Sequence, residues 1–125
     1  MTRKLAMIQF YGYDKCSTCK KAEKILVAGK KTFVKTDITT NPPSPATLKA
    51  ALSQGYVLND LFNKSGVLYR EMNMKDKIKT LTEAQALELL SQNGRLVKRP
   101  IVTDGKRVSV GLVESNFKKL WDSII

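Results

Sequence analysis

Two cysteines separated by two residues are the groups in this sequence best suited to covalent chemistry. The segment Cys16-Ser-Thr-Cys19 follows a short apolar stretch and leads into residues with helical spacing. A helix places residues three apart on one face, so the two sulfurs lie within reach of a disulfide. Backbone N–H groups at a helix N-terminus, together with Lys15 and Lys20, stabilise a thiolate, the nucleophilic form of cysteine. We expect Cys16, nearer the helix end, to attack and Cys19 to be the resolving or less reactive thiol.

The residues that are missing limit this chemistry further. The sequence contains no histidine and no third cysteine. A zinc site usually needs four ligands, so no metal site is expected. Serine hydrolase and Cys–His protease mechanisms are excluded because no imidazole can act as general base. The remaining alternative is that both cysteines are small buried hydrophobic residues, whereas their place between a strand and a helix favours a redox pair.

The length and the charge of the chain limit the classes of protein to which it can belong. The chain has 125 residues and a formal net charge of +11. This length predicts one domain that buries a core without metals or structural disulfides. The charge suits an acidic protein partner or an anionic substrate. Because the basic residues are scattered in pairs rather than gathered in one run, we expect a solvated basic surface and no direct binding of nucleic acid.

The N-terminal apolar stretch is too short for targeting or membrane insertion. It covers residues 5–8 and stops at Gln9. A secretory signal needs about 7 or more apolar residues and a membrane span about 20. We therefore expect a cytoplasmic protein without membrane association. In that reducing compartment two cysteines are more often catalytic than structural.

The first part of the chain predicts the elements that position the cysteines. Residues 5–11 are apolar and predict a buried strand, and residues 21–27 carry apolar side chains at helical spacing. Residues 32–38 are rich in β-branched and aromatic side chains and predict a second strand. The cysteines therefore lie where the first strand gives way to the first helix.

The middle third predicts a block of helices. Ser44 and Pro45 have the types expected at an N-cap and the first helical position, and that helix should end near Gly55. Residues 58–62 predict a short helical turn. Residues 82–85 have the form of a capping box ahead of another helix.

The last third completes a thioredoxin-like order of elements. Residues 101–103 and 107–110 flank Asp104-Gly105, which predicts a β-hairpin. A closing amphipathic helix is predicted from apolar residues at helical spacing: Phe117, Leu120, Trp121 and Ile124. We therefore expect an α/β fold in which β-α-β and β-β-α halves share one mixed sheet. Residues 1–125 should form a single thioredoxin-like domain, with residues at about 42–95 as an inserted helical subdomain.

Four blocks of the sequence resemble the arsenate reductase-like proteins, the family that includes the Spx-type regulators. They are residues 10–22, 61–70, 96–102 and 107–111, in the family's order across nearly the whole chain. The resemblance implies that Pro100 is a cis-proline facing the active cysteine. It also implies that Arg99 and Arg70 line the site as substrate-binding residues.

The resemblance also implies partners for such a site. Guanidinium groups bind oxyanions and the carboxylates of glutathione in a bidentate manner, and their charge favours a thiolate. No bound cofactor is expected. Glutathione is the expected co-substrate, and glutathione or glutaredoxin the expected redox partner, with a small oxyanion as an alternative substrate.

Two departures from the family pattern leave two functions open. The resemblance places Val110 where arsenate reductases carry a third arginine, and Gly12 where they carry a histidine. Both changes weaken the case for arsenate. The first hypothesis is a thiol–disulfide oxidoreductase with Cys16 as nucleophile. The alternative is an Spx-like regulator that binds the RNA polymerase alpha subunit and is switched by a Cys16–Cys19 disulfide.

Overall fold

A four-stranded mixed sheet forms the centre of the molecule. The computed structural model describes residues 8–122 and contains β1 (Ile8–Gly12), β2 (Phe33–Asp37), β3 (Ile101–Thr103) and β4 (Val108–Val110). The strand order is β2-β1-β3-β4. β1 runs parallel to β2 and antiparallel to β3, which pairs antiparallel with β4. The predicted α/β fold with a mixed thioredoxin-like sheet is confirmed.

Two helices cover one face of this sheet. They are α1 (Ser17–Ala28) and α6 (Glu114–Asp122), which pack against each other. Side chains alternate between the two faces along a strand, so every second strand residue points toward these helices. The resulting core consists of Ile8, Phe10, Cys19, Ala22, Leu26, Val102, Phe117 and Trp121. The indole N–H of Trp121 donates to Ser109 Oγ at 3.1 Å, which ties α6 to β4.

Helices between β2 and β3 cover the opposite face. α2 (Pro45–Ser53) and α5 (Glu83–Gln92) pack against each other and share a core with Ile101, Val108 and Val110 of the sheet. Two shorter helices, α3 (Val67–Glu71) and α4 (Met74–Lys77), lie between them in the chain. Short 3₁₀ turns connect these helices at Leu58–Leu61 and Ile78–Thr80, and a third, Gly94–Leu96, follows α5 and precedes β3.

Most of the helix caps and turns predicted from the sequence lie at the expected residues in the structure. Ser44 caps α2 by accepting the backbone N–H of Thr47 at 3.2 Å, with Pro45 at the first helical position. Thr82 and Gln85 form the predicted capping box of α5, because each side chain accepts the other residue's backbone N–H. The predicted turn at residues 58–62 is the 3₁₀ turn that begins at Leu58.

Element ends differ from the prediction by a few residues. The described part of the first strand begins at Ile8 and extends to Gly12, and the predicted residues 5–7 lie outside the described residues. Ile124 lies outside them as well. The second hairpin strand begins at Val108 rather than at residue 107, and in the connection the Asp104 carboxylate accepts the N–H groups of Lys106 and Arg107, at 2.9 and 2.7 Å. Across residues 8–122, no helix has both the length and the apolar character needed to cross a bilayer.

Candidate active site

Cys16 lies where the chain leaves β1 and enters α1. It is the N-cap residue of α1, with extended backbone angles. Its N–H donates to the carbonyl of Tyr13 at 3.0 Å, and its Sγ accepts the backbone N–H of Cys19 at 3.2 Å. The sulfur therefore occupies the position that a serine or aspartate oxygen takes in an ordinary N-cap, facing the positive end of the helix.

Cys19 lies one turn into the helix and faces the core. Its side chain is only 3% exposed, whereas Cys16 is half-buried at the surface. Burial raises the pKa of the Cys19 thiol to about 12, with further contributions from the hydrogen bond to Cys16 and the charge of Cys16, against the lowering effects of a Tyr13 backbone hydrogen bond and of Arg99. Both cysteines are unbridged thiols. Cys19 is thus a protonated, shielded partner behind a more accessible Cys16.

Cys16 opens into a cleft with a positive lining. The cleft has a volume of about 540 Å³ and includes Ser17 and Thr18 from the first turn of α1. Three cationic side chains line it: Lys64, Lys98 and Arg99. The acidic residue of the lining is Asp60, whose carboxylate accepts the backbone N–H of Val57 at 3.0 Å. The cleft is therefore suited to an anionic ligand that presents a group to Cys16.

An aromatic ring holds Arg99 in the site. Its guanidinium carbon lies 5.1 Å from the centre of the Tyr13 ring, in a cation–π contact. None of the described carboxylates forms an ion pair with Arg99, so its charge is available to a ligand. The next peptide bond, Arg99–Pro100, is cis, as the resemblance implied. Pro100 is buried and does not line the cleft, and its carbonyl accepts the N–H of Gly111 at 2.9 Å.

Arg70 lies in α3, at one remove from the cleft. Its side chain is exposed, and its Nη1 donates to the carbonyl oxygen of Ser65 at 3.2 Å. Ser65 lines the cleft, whereas Arg70 does not. In this structure Arg70 supports the loop that borders the cleft, while Arg99 faces the cleft directly.

The two positions that depart from the family pattern have specific surroundings. Val110 is 8% exposed and packs in the core with Ile101 and Val108, while the next residue, Gly111, lines the cleft. At Gly12 an added Cβ would lie 2.6 Å from Cε1 of Phe10 and 3.4 Å from Sγ of Cys19. Neither position adds a polar group to the cleft.

Sequence reasoning missed several residues of the lining. Asn63 and Lys64 reach the cleft from the loop before α3, and Lys98 reaches it from the segment before β3. Lys98 adjoins Arg99, and its side chain crosses Gly111, where an added Cβ would lie 2.7 Å from the lysine Cε. Lys98 carried one usable signal, its place beside Arg99. Asn63 and Lys64 carried a weaker signal, their place in the block 61–70 that resembles the family, but only the tertiary fold brings them to Cys16.

The described residues contain no group of three or more metal-ligating side chains that could hold an ion. The site instead combines a cysteine N-cap, a buried second cysteine and an arginine before a cis-proline. On a β-α-β and β-β-α sheet with helices on both faces, these features define a thioredoxin-like protein of the α/β class.

Comparison with known proteins identifies the family within that class. The model of the ArsC family matches residues 11–120, and the chain belongs to this arsenate reductase-like family. The uncharacterized protein YusI of Bacillus subtilis is 44% identical, over 91% of this chain and 98% of YusI. An ArsC family related protein from Bacteroides fragilis has a crystal structure with a TM-score of 0.84 and 36% identity, covering 94% of this chain and 99% of that one. The global transcriptional regulator Spx of Streptococcus pneumoniae is 26% identical, over 90% of this chain and 84% of Spx.

Proposed function

We propose that this protein is a thiol–disulfide oxidoreductase in which Cys16 is the nucleophile and Cys19 the resolving thiol. The observation that carries the proposal is the N-cap geometry, in which Cys16 Sγ accepts the Cys19 N–H at 3.2 Å while facing a positively lined cleft. A thiolate at that position is stabilised by the backbone N–H groups of the first turn and by the helix dipole.

The difference between the two thiols supports this division of roles. Burial and the neighbouring Cys16 hold the pKa of Cys19 at about 12, so Cys19 is protonated at neutral pH. Its 3% exposure also shields it from a substrate in solution. Cys16 is the thiol that a substrate reaches first.

The reaction consists of two thiol–disulfide exchanges. The Cys16 thiolate attacks one sulfur of a substrate disulfide, and a Cys16–substrate disulfide forms as the second substrate sulfur leaves as a thiolate and takes up a proton from water. Cys19 then loses its proton and attacks Cys16 Sγ, which releases the first substrate sulfur as a thiolate. The substrate has gained two electrons, and Cys16 and Cys19 are joined by a disulfide.

The first exchange removes two of the effects that keep Cys19 protonated. Once Cys16 is in a mixed disulfide it carries no negative charge, so its electrostatic effect and its hydrogen bond no longer raise the pKa of Cys19. Burial still raises it. Formation of the mixed disulfide thus activates the resolving thiol.

We further propose glutathione as the source of the electrons that return the cysteines to thiols. Two glutathione molecules, or the dithiol of a glutaredoxin, would reduce the Cys16–Cys19 disulfide and become oxidised themselves. Glutathione carries two carboxylates at neutral pH, and the cleft offers Lys64, Lys98 and Arg99 to receive them. The reaction requires a reducing compartment, which is consistent with the cytoplasmic location expected from the sequence.

Turnover of a disulfide substrate tests this proposal. The wild-type protein should reduce a glutathionylated peptide with glutathione as reductant, and Cys16→Ser should abolish the reaction. Cys19→Ser, mixed with the glutathionylated peptide in the absence of free glutathione, should instead accumulate the Cys16 mixed disulfide, visible as a mass increase on the intact protein. Turnover that survives Cys16→Ser, or an absence of adduct in Cys19→Ser, would refute the assignment.

A redox-switched transcriptional regulator is a second candidate function. Similarity to the Streptococcus pneumoniae regulator Spx over 90% of this chain supports it. The net charge of +11 suits an acidic surface such as we propose on the RNA polymerase alpha subunit. The Cys16–Cys19 disulfide would then change affinity rather than carry out turnover. Binding of purified alpha subunit to the oxidised and reduced protein tests this, and no binding in either state would eliminate it.

A further inference from the structure

A second cavity adjoins the active-site cleft on the other side of Arg99. We call it the flanking pocket; it has a volume of about 340 Å³, and its lining includes Tyr13, Val67, Leu68, Arg95 and Arg99. Arg99 and Asn63 line both cavities. A ligand bound at Cys16 therefore has a second region within reach, across the Arg99 side chain.

The flanking pocket combines positive charge with apolar surface. It contains two guanidinium groups, Arg95 and Arg99, against a single carboxylate, Glu71. Neither arginine is ion-paired with a side chain among residues 8–121, so both charges are open to a ligand. Val67 lines the pocket and is 58% exposed, so its apolar side chain is open to a ligand. The pocket thus suits a ligand with both a carboxylate and an apolar side chain.

We infer that the flanking pocket binds the residues next to the reacting cysteine of a protein substrate, and that it selects an acidic residue followed by an apolar one. The inference rests on the proposed reaction at Cys16 and names the substrate class of that same site. The carboxylate of the acidic residue lies against Arg95 and Arg99, and the apolar residue packs on Val67 and Leu68.

Two smaller ligands of the same charge fit this arrangement less well. A tetrahedral oxyanion is far smaller than the cleft of about 540 Å³, so it does not need the flanking pocket. Glutathione has two carboxylates but no apolar side chain, so Val67 and Leu68 have no role in binding it. A peptide segment with a cysteine, an acidic residue and an apolar residue uses both cavities.

The test measures how fast full-length protein reacts with short cysteine peptides. Each peptide is activated as a mixed disulfide with 2-nitro-5-thiobenzoate, so attack of Cys16 on the peptide sulfur releases a coloured thiolate. The peptides are Cys-Glu-Leu, Cys-Gln-Leu and Cys-Glu-Ser. A second series has the same residues in the reverse order, so that cysteine is the last residue of each peptide. The glutathione disulfide of the same reagent is a separate arm.

In one of the two series, we expect the peptide with glutamate to react about two- to five-fold faster than the peptide with glutamine. This is the size of effect expected for a partly solvated charge pair. Added salt should reduce that preference. The peptide with leucine should react about two-fold or more faster than the peptide with serine, because leucine buries apolar area. Arg95→Gln should remove the glutamate preference and Val67→Ser the leucine preference. Lys106→Gln, which removes an exposed charge on the hairpin turn, should retain both.

Equal rates for glutamate and glutamine peptides, or a glutamate preference that survives Arg95→Gln, would overturn the inference while leaving the reaction of Cys16 intact. A glutathione disulfide that reacts faster than every peptide would overturn it as well, in favour of glutathione. If no peptide reacts at Cys16, the proposed oxidoreductase function itself fails. The experiment therefore separates the two proposals.

Discussion

The guanidinium carbon of Arg99 lies 5.1 Å from the centre of the Tyr13 ring, and this contact joins the two segments that build the active site. Tyr13 lies in the loop before α1, and its carbonyl accepts the N–H of Cys16 at 3.0 Å. Arg99 precedes the cis-proline that leads into β3. One residue, Tyr13, therefore positions both the nucleophile and the cation that faces the ligand.

Replacing the Tyr13 ring should weaken binding of anionic substrates. A solvated cation–π contact contributes about 0.5–1 kcal/mol. Tyr13→Leu should therefore raise KM for a negatively charged disulfide by about two- to five-fold with little change in kcat, because Arg99 is less well placed. Tyr13→Phe keeps the ring face and should behave as wild type. An equal loss in Tyr13→Leu and Tyr13→Phe would assign the effect to the hydroxyl instead.

The buried Cys19 thiol should make the fold less stable at alkaline pH. Its pKa is raised to about 12 in the folded state, so the folded state keeps the Cys19 proton where the unfolded state has lost it. The unfolded chain then binds fewer protons, and the free energy of unfolding falls as pH rises from about 8.5 toward 12. Denaturant unfolding of wild type and Cys19→Ala between pH 8 and 11 measures the contribution of Cys19, as the difference in free energy of unfolding between the two proteins.

Lysines and tyrosines titrate in the same range, but they are common to both proteins and cancel in the comparison. The stability advantage of wild type over Cys19→Ala should shrink with increasing pH. Parallel curves across the whole range would show that Cys19 is not protonated preferentially in the folded state. Both proteins are kept reduced, so disulfide formation does not contribute.

Arg70 should act by holding the loop that borders the cleft rather than by touching the ligand. Loss of its hydrogen bond to the Ser65 carbonyl in Arg70→Gln should raise KM by about two- to ten-fold, since Arg70 is exposed and an ordinary intramolecular hydrogen bond contributes about 0.5–1.5 kcal/mol. The rate of Cys16 alkylation by a neutral reagent should not change. A slower alkylation would mean that the Arg70 charge acts on the thiolate directly. Arg70→Lys, which retains a donor, should recover part of the wild-type KM.

The sequence predicted the parts of the structure that depend on local chemistry. The caps at Ser44 and Thr82 were predictable because each N-cap oxygen satisfies an N–H group only three residues away. The N-terminal position of Cys16 in α1 was predictable because an apolar strand pattern precedes it and helical spacing follows it. The order of strands and helices along the chain, and with it the mixed sheet, followed from the alternation of strand and helix patterns.

Contacts between distant segments could not be predicted in this way. Asn63 reaches the cleft because its backbone N–H donates to the carbonyl of Leu96 at 2.7 Å, across more than thirty positions of the chain. Arg70 lies in α3, and the direction of this helix relative to the preceding loop determines that Arg70 lies behind the cleft. The resemblance assigned Arg70 to the lining because it transfers residue types, whereas side-chain direction depends on the local backbone.

Gly94 is the position where a single methyl group should damage the fold most. An ideal Cβ at Gly94 would lie 1.7 Å from the carbonyl oxygen of Ile38 and 2.8 Å from its carbon, so backbone rather than a flexible side chain blocks it. Gly94→Ala must separate the end of α5 from the segment after β2, at a cost of about 2–3 kcal/mol or more.

Gly55→Ala is the matched control, because open space surrounds that position and only its φ of +108° opposes a side chain. Denaturant midpoints, followed by the fluorescence of the chain's one tryptophan, should show a larger loss for Gly94→Ala than for Gly55→Ala. Equal midpoints would mean that the Gly94–Ile38 approach is not present in solution.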